Sequence, residues 1–283
     1  MQTNSIHGVV VLYQPDDAVI DNILSYIDGL ATLYVIDNSA DPDAVIIERI
    51  NAMPKCLYIS NPENKGIASA LNHGAKLAID NGANWLLTMD QDSRFQAADF
   101  NKLLNFTEQQ NEQVTGLVSP FHQTGVSVEP VTEVDEVVTI MTSGNLISLF
   151  AWQAIGGFDE RYFIDAVDWD YCLRLNLYKF KVLRYNRVHL QHGLGNATKH
   201  QSITGKQITA LNYNKIRRYY ITRNKLLIIF KYYRQYPKYC YNVFKSLFRD
   251  LRHILLYEDG KQAKLWFMLK GFGHFLSGKT GRL

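Results

Sequence analysis

Short apolar runs alternate along the chain with segments whose apolar residues recur every three to four positions. Ile6 to Tyr13 is the first run, apolar at its centre, and it ends in Gln14-Pro15-Asp16-Asp17, which is turn and helix-start chemistry. A helix is expected from there to about Leu30. Leu33-Tyr34-Val35-Ile36 reads as a second strand that delivers Asp37-Asn38-Ser39, and helical spacing resumes after Pro42. Cys56 to Ser60 makes a third strand, after which the polar loop Asn61 to Gly66 opens a helix of small residues. Trp85 to Met89 is a fourth strand, with Asp90-Gln91-Asp92-Ser93 at its C-terminal end. Strand and helix in strict alternation predict a mostly parallel central sheet flanked by helices.

Beyond Asp92 the pattern is less regular. It predicts a helix over Ala97 to Gln110, a strand over Gly116 to Ser119, an irregular acidic stretch to Glu136, and a strand over Val137 to Thr142 broken by Ser143-Gly144-Asn145. Ala151 to Ile155 reads as a short helix stopped by Gly156 and Gly157. A further helix opens at Asp165-Ala166-Val167-Asp168-Trp169-Asp170, and Val182 to Tyr185 and Val188 to Leu190 are short strands leading to His192. From Lys206 onward the chain is helical, aromatic and basic.

Composition turns this outline into an organisation. With 283 residues, 47% hydrophobic and 20% charged, the chain suffices for one α/β domain and an appendage, with the boundary expected near residue 200. The net charge of +3 conceals a division. Residues 1–198 hold 12 Lys/Arg and 24 Asp/Glu, whereas residues 199–283 hold 18 and 3. Three scattered cysteines, Cys56, Cys172 and Cys240, suggest neither a disulfide framework nor a zinc site and fit a reducing cytoplasm. No secretory leader is expected, because no basic region precedes Val9 to Tyr13, and no run approaches the length of a membrane span.

The candidate chemistry lies at strand ends. Open α/β sheets bind ligands in the crevice beyond the C-terminal ends of their strands. Asp90 and Asp92 stand there two residues apart, and carboxylate oxygens suit Mg²⁺ or Mn²⁺, which in turn clamp a diphosphate. An ordinary polar turn would use the same residues. Asp37 also sits at a strand end, where a turn or helix cap is the simpler use. Gly66 lets backbone approach a ligand and leaves N–H groups for a phosphate, although neither a P-loop nor a Gly-x-Gly-x-x-Gly fingerprint is present. Three acids at the start of one helix exceed what dipole compensation needs, so Asp168 and Asp170, flanking Trp169, are functional candidates. His192 is either a satisfied polar residue or a third metal ligand. In the basic tail, Lys264 and Lys270 stand among Leu265, Trp266, Phe267 and Phe272. They form either a solvated face over packed helices or a surface for anionic lipid. No nucleic-acid-binding motif accompanies the charge.

Taken together, Tyr13, Asp37-Asn38-Ser39, Asn64-Lys65-Gly66 with Asn72, Asp90-Gln91-Asp92-Ser93, Gly156-Gly157-Phe158-Asp159, Asp168-Trp169-Asp170-Tyr171, His192 and Tyr220-x-x-Arg223-Asn224 resemble the family 2 glycosyltransferases of the GT-A fold. The Asp-Gln-Asp-Ser form and His192-Gly193-Leu194-Gly195 resemble the rhamnosyltransferase-like branch of bacterial polysaccharide assembly. The match runs from about Ile6 to Asn224.

The resemblance implies a Rossmann-like GT-A sheet and a role for each position. Tyr13, Asp37, Asn64, Gly66, Asn72 and Asp90 would bind the donor nucleotide, with Asp37 on the base and Asp90 on the ribose or sugar. Asp92 and His192 would hold the metal, Asp168 would be the catalytic base, and Asp170, Arg174, Trp169, Tyr220 and Arg223 would support it or face the acceptor. The implied activity is inverting transfer of one sugar, rhamnose from dTDP-rhamnose, to a lipid-linked or polysaccharide acceptor of O-antigen or capsule synthesis. The enzyme would act in the cytoplasm at the anionic inner face of the plasma membrane, and a homodimer is compatible. Galactofuranose, glucose or galactose as donor sugar, and a non-catalytic nucleotide-sugar or membrane-binding module, are the alternatives. The processive synthases' Gln-x-x-Arg-Trp is absent, so a long polymer is not expected. Nucleotidyl transfer would need a Gly-rich basic loop, which Leu12-Tyr13-Gln14-Pro15 is not.

Overall fold

The apolar runs at Ile6 and Leu33 become strands buried on both faces, as parallel strands between helical layers must be. In the computed structural model, residues 5–61, 63–96, 98–123, 130–192, 198–201, 207–210 and 212–283 are described, the side chains of 192, 198–201 and 207–210 excepted. The chain divides into two compact units, Met1–Phe163 with Val167–Gly193, and Ile164–Ala166 with Leu194–Leu283.

The first unit runs β1 (Ile6–Leu12), α1 (Ala18–Leu24), β2 (Leu33–Asp37), α2 (Ala44–Asn51), β3 (Cys56–Ser60), α3 (Ile67–Asp80) and β4 (Trp85–Asp90). It continues with β5 (Ser93–Phe95), α4 (Asp99–Glu108), β6 (Thr115–Gln123), β7 (Val134–Glu136), β8 (Asn145–Ser148), α5 (Leu149–Ile155), α6 (Val167–Leu177) and β9 (Lys181–His192). The sheet order is β3-β2-β1-β4-β8-β6-β9-β5, with β7 also on β9. β3, β2, β1 and β4 are mutually parallel, as is β6 with β9, whereas β8, β5 and β7 pair antiparallel. The alternating first third of the chain therefore builds the parallel half, and the irregular middle builds a mixed half. Val10, Leu12, Ile23, Tyr26, Trp85, Phe100 and Leu103 anchor one continuous core cluster. Each large side chain fully buried there contributes about 1.5–3 kcal/mol.

Several expected elements differ: α1 stops at Leu24 rather than near Leu30, and residues 207–210, expected helical, form a strand. Residues 137–142 form no strand, and β8 begins at Asn145, where a break was expected. Side chains take that segment's carbonyls instead of a ladder: Asn176 donates to Val138 O, Asn145 to Met141 O and Thr88 to Thr142 O. Val182 to Leu190 is not two strands but part of the single β9. The polar Asn186-Arg187 step is absorbed as a bulge, since Pro120 pairs with Tyr185 and Phe121 with His189.

The second unit holds the antiparallel pair β10 (Thr198–Gln201) and β11 (Gln207–Ala210), then α7 (Lys215–Tyr232), α8 (Pro237–Tyr257) and α9 (Lys261–Leu276). α9 crosses α7 closely, and a Cβ at Gly271 would lie 2.6 Å from Tyr219 O. Several of the tail's basic residues turn inward. Arg218 and Lys264 both pair with the buried Glu258, and Lys225 pairs with Asp250. Among the described residues, no helix is long and apolar enough to cross a membrane.

Candidate active site

Register sets the candidate strand ends side by side. Leu12 pairs with Asp37, Asp37 with Ser60, and Val11 with Asp90. Tyr13, Asp37 and Asp90 thus share the C-terminal rim of β1, β2 and β4, with Asp37 and Asp90 about 10 Å apart at two strand spacings. From β1 the chain moves outward to β2 and β3, then returns to place β4 on the other side of β1. The crevice between β1 and β4 is therefore a topological switch point, where open α/β sheets take ligands.

Hydrogen bonds between loops fix this rim. Tyr13, 54% exposed, donates its N–H to Gln91 Oε1 at 2.7 Å, and Asn22 Nδ2 donates to Gln91 O at 2.8 Å. Gln91 thus holds the β1 loop to the Asp-x-Asp turn, a positioning role the sequence signals only by its place between the two aspartates. Asp37 is buried and accepts from Ser39 N at 2.8 Å and from the Tyr58 hydroxyl at 2.9 Å. Burial first, then the bond to Asp37, raises the Tyr58 pKa above the ordinary tyrosine value, so the hydroxyl stays a donor.

Asn64 Oδ1 accepts from Gly66 N at 2.9 Å, shaping the loop ahead of α3. Gly66 has φ 90° and ψ 170°, a conformation essentially confined to glycine, and a Cβ there would meet Phe163 O at 2.5 Å. Asn72, expected on the nucleotide, bonds to the chain itself. Its Nδ2 donates to Phe158 O and Glu160 Oε1, both at 2.9 Å, and its Oδ1 accepts from Phe158 N at 2.8 Å. These bonds span 86–88 residues and use its amide to hold the turn after Gly157.

Asp90 and Asp92 lie in the tight turn between β4 and β5, Asp90 half-buried and Asp92 exposed. β5 pairs with β9 so that Ser93 faces His192 along the backbone, which brings His192 next to Asp92 in register. The His192 side chain and Gly193 to Gly195 lie outside the described residues. Asp168 is half-buried in the first turn of α6 and accepts from Trp169 N at 2.9 Å. It lines a water-sized cavity of about 10 Å³ with Thr88, Thr142, Tyr171 and Cys172. Thr88 precedes Asp90 by two residues on β4 and so shares its face, which brings Asp168 to the same strand end. Trp169 beside it is half-buried. Burial pushes the Cys172 thiol up to about 12, so it is no nucleophile at neutral pH.

Behind Asp168, Asp170 is fully buried and pairs with Arg174 Nε at 2.7 Å, while Arg174 also donates to Ile155 O at 2.9 Å. This pair supports α6. Tyr220 and Arg223, expected to face an acceptor, are instead buried in the second unit. Arg223 donates to Gly281 O at 2.7 Å and to Asn224 Oδ1 at 3.0 Å, and Tyr220 accepts from Leu283 N at 2.8 Å.

Residues 17–185 match the family profile described as Glycosyl transferase family 2. The chain belongs to that family. This glycosyltransferase is 27% identical over 246 residues to the dTDP-rhamnosyl transferase RfbF of Shigella flexneri, with 81% of each chain covered. Among solved structures it matches S. aureus TarS 1–349 with a TM-score of 0.61 at 13% identity, covering 96% of this chain and 80% of that one. It also matches GalNAc-T7 with UDP, GalNAc and Mn²⁺ at 0.63 and 13%, covering 98% and 56%. These likenesses show the GT-A fold.

The donor set of the glycosyltransferase bears on a metal. Among the described residues, no three His, Cys, Asp or Glu side chains are grouped to hold an ion. Mg²⁺ at phosphate-handling sites is commonly held by one or two carboxylates plus substrate phosphates and water rather than by an all-protein cage. Half-buried Asp90 and exposed Asp92, two residues apart at a strand end, fit that mode. The backbone of His192 pairs with Ser93, next to Asp92.

Proposed function

We propose that this glycosyltransferase transfers one sugar, rhamnose from dTDP-rhamnose, with inversion to a lipid-linked or polysaccharide acceptor of cell-surface polysaccharide synthesis, such as O-antigen or capsule. The observation that carries the reading is the placement of Asp37 and Asp90 on the strand ends that flank β1, beside the switch point, with Asp168 drawn to the same end of β4. The named Shigella relative supports the choice of donor. Asp37 accepts from the base, the backbone around Gly66 lies against the nucleotide, and Asp90 takes a ribose or sugar hydroxyl. Asp168 removes the proton of the attacking acceptor hydroxyl, a contribution of roughly 10²–10⁴-fold. Asp92, with His192, holds Mg²⁺ or Mn²⁺, which when bound neutralises charge on the departing diphosphate. The acceptor side works at the inner face of the plasma membrane, from the cytoplasm.

The test is a calorimetric screen of dTDP-, UDP-, GDP- and CMP-sugars with and without Mn²⁺ or Mg²⁺. Metal-dependent binding of dTDP-rhamnose, lost in Asp92→Ala, is the expected result. Asp168→Asn retains that binding and loses transfer by about 10²-fold or more. Donor binding indifferent to Asp92, or turnover preserved in Asp168→Asn, would reject the corresponding assignment.

A further inference from the structure

α8 carries two different stripes on its outward side. Its inward face buries Cys240, Val243, Ser246 and Ile254. At 100° per residue, Tyr241, Phe244, Phe248, Leu251 and Leu255 fall within an arc of about 80° beside that face, yet they are 61, 46, 59, 37 and 47% exposed. The next arc, about 60° wide, holds Lys238, Lys245, Arg249 and Arg252, all exposed. The helix's Asp250 turns the other way, to Lys225 and Arg218. Among the described residues no ion pair joins those four outward cations to a carboxylate.

We propose that this outer face of α8 docks the protein on an anionic lipid surface, with the helix lying in the plane of the interface. The aromatic and aliphatic stripe enters the headgroup boundary, and the basic stripe meets lipid phosphates. An aromatic stripe flanked by Lys and Arg is the composition of interfacial helices. Charge selects the occupant: a symmetric contact with a second copy would oppose the same four cations to themselves with no outward acid to offset them. Negative headgroups complement them. The docking role of the tail thus moves from Lys264, which is spent on buried Glu258, to α8. The inference rests on the proposed membrane-held acceptor.

The experiment is co-sedimentation, without nucleotide, on vesicles of equal parts phosphatidylcholine and phosphatidylglycerol and on phosphatidylcholine alone. Wild type is expected to bind the anionic vesicles at low salt and to release as salt rises. Lys245→Ser/Arg249→Ser/Arg252→Ser should partition about 100-fold more weakly, at roughly fivefold per cation, and Phe244→Ser/Phe248→Ser at least about tenfold more weakly. All five positions are exposed, and each variant is first matched to wild type in melting and donor binding. Wild type that ignores vesicles, binds both kinds equally, or forms a dimer that the Phe244/Phe248 variant dissociates would overturn the proposal. Donor binding without docking defeats only this inference, whereas docking without donor binding defeats only the assigned transfer.

Discussion

The buried pair behind the candidate base offers the most direct test of the structure. The Asp170 side chain is 0% exposed and meets Arg174 Nε at 2.7 Å and the Tyr162 hydroxyl at 3.3 Å. The Arg174 side chain is 13% exposed, donates from Nη1 to Ile155 O, and has a buried Nη2 with no hydrogen-bond partner. Asp170→Asn keeps the volume but leaves a guanidinium desolvated among neutral oxygens. Breaking such a pair from one side costs about 3–5 kcal/mol. At roughly 2–4 °C per kcal/mol for a unit of this size, the midpoint should fall by about 6–20 °C. Replacing both partners by apolar residues, Asp170→Leu/Arg174→Met, removes the stranded charge and should cost far less. Urea unfolding followed by tryptophan emission reads the effect. Trp85, Trp152 and Trp169 report on the unit concerned, and Trp266→Phe silences the other. A loss below about 1 kcal/mol in Asp170→Asn, or a double variant no better than the single, would refute the claim that a buried charge pair holds α6.

Three further outcomes are expected. Gly66→Ala places a Cβ 2.5 Å from a backbone oxygen that cannot swing aside, so melting should drop by about 1–3 kcal/mol with weaker donor binding, and unchanged melting would contradict the loop geometry. Asn72→Ala leaves the buried Phe158 N–H and C=O without their amide partner and should cost about 1–3 kcal/mol while leaving the donor dissociation constant of the folded protein unchanged; a large change in that constant would place Asn72 at the nucleotide site. Hydrogen bonds from Thr132, Asn186 and Arg184, in that order, hold the Asp135 carboxyl down at about 2, below its ordinary 3.8. Its stabilising effect is therefore complete above 3.8 and lost as pH falls toward 2, so the melting difference between wild type and Asp135→Asn should vanish across that window.

How far the site can be read from the chain depends on whether its contacts are local or distant. β1, β2 and β4 are legible because strands buried on both faces must be apolar throughout, and the polar residues that end them must then lie on the rim. Asp170 and Arg174 are legible as a pair four residues apart on one helix. Asn72 is not, because its partners lie 86 and 88 residues away and an Asn on a helix of small residues looks the same whether it meets a nucleotide or a turn. Residues 137–142 mislead for a related reason: their β-branched, mostly apolar run fits a strand, but Asn176, Asn145 and Thr88 claim the carbonyls first.

The basic tail shows what a charge count hides. Eighteen Lys/Arg against three acids reads as one solvated or lipid-facing surface. Burial separates some of those cations from others. Arg218, Lys225 and Lys264 are drawn inward by Asp250 and Glu258, so two of the three acids are consumed on the inner side of the helices. Lys238, Lys245, Arg249 and Arg252 are left on the outer face of α8, beside an apolar stripe that the unit does not cover. Other exposed cations, such as Lys215, Lys261 and Lys270, lie outside α8, but on α8 four of them line up beside the apolar stripe. Substitutions at Lys264 should act on folding, and substitutions at Arg249 on surface binding, even though both change the net charge by the same amount.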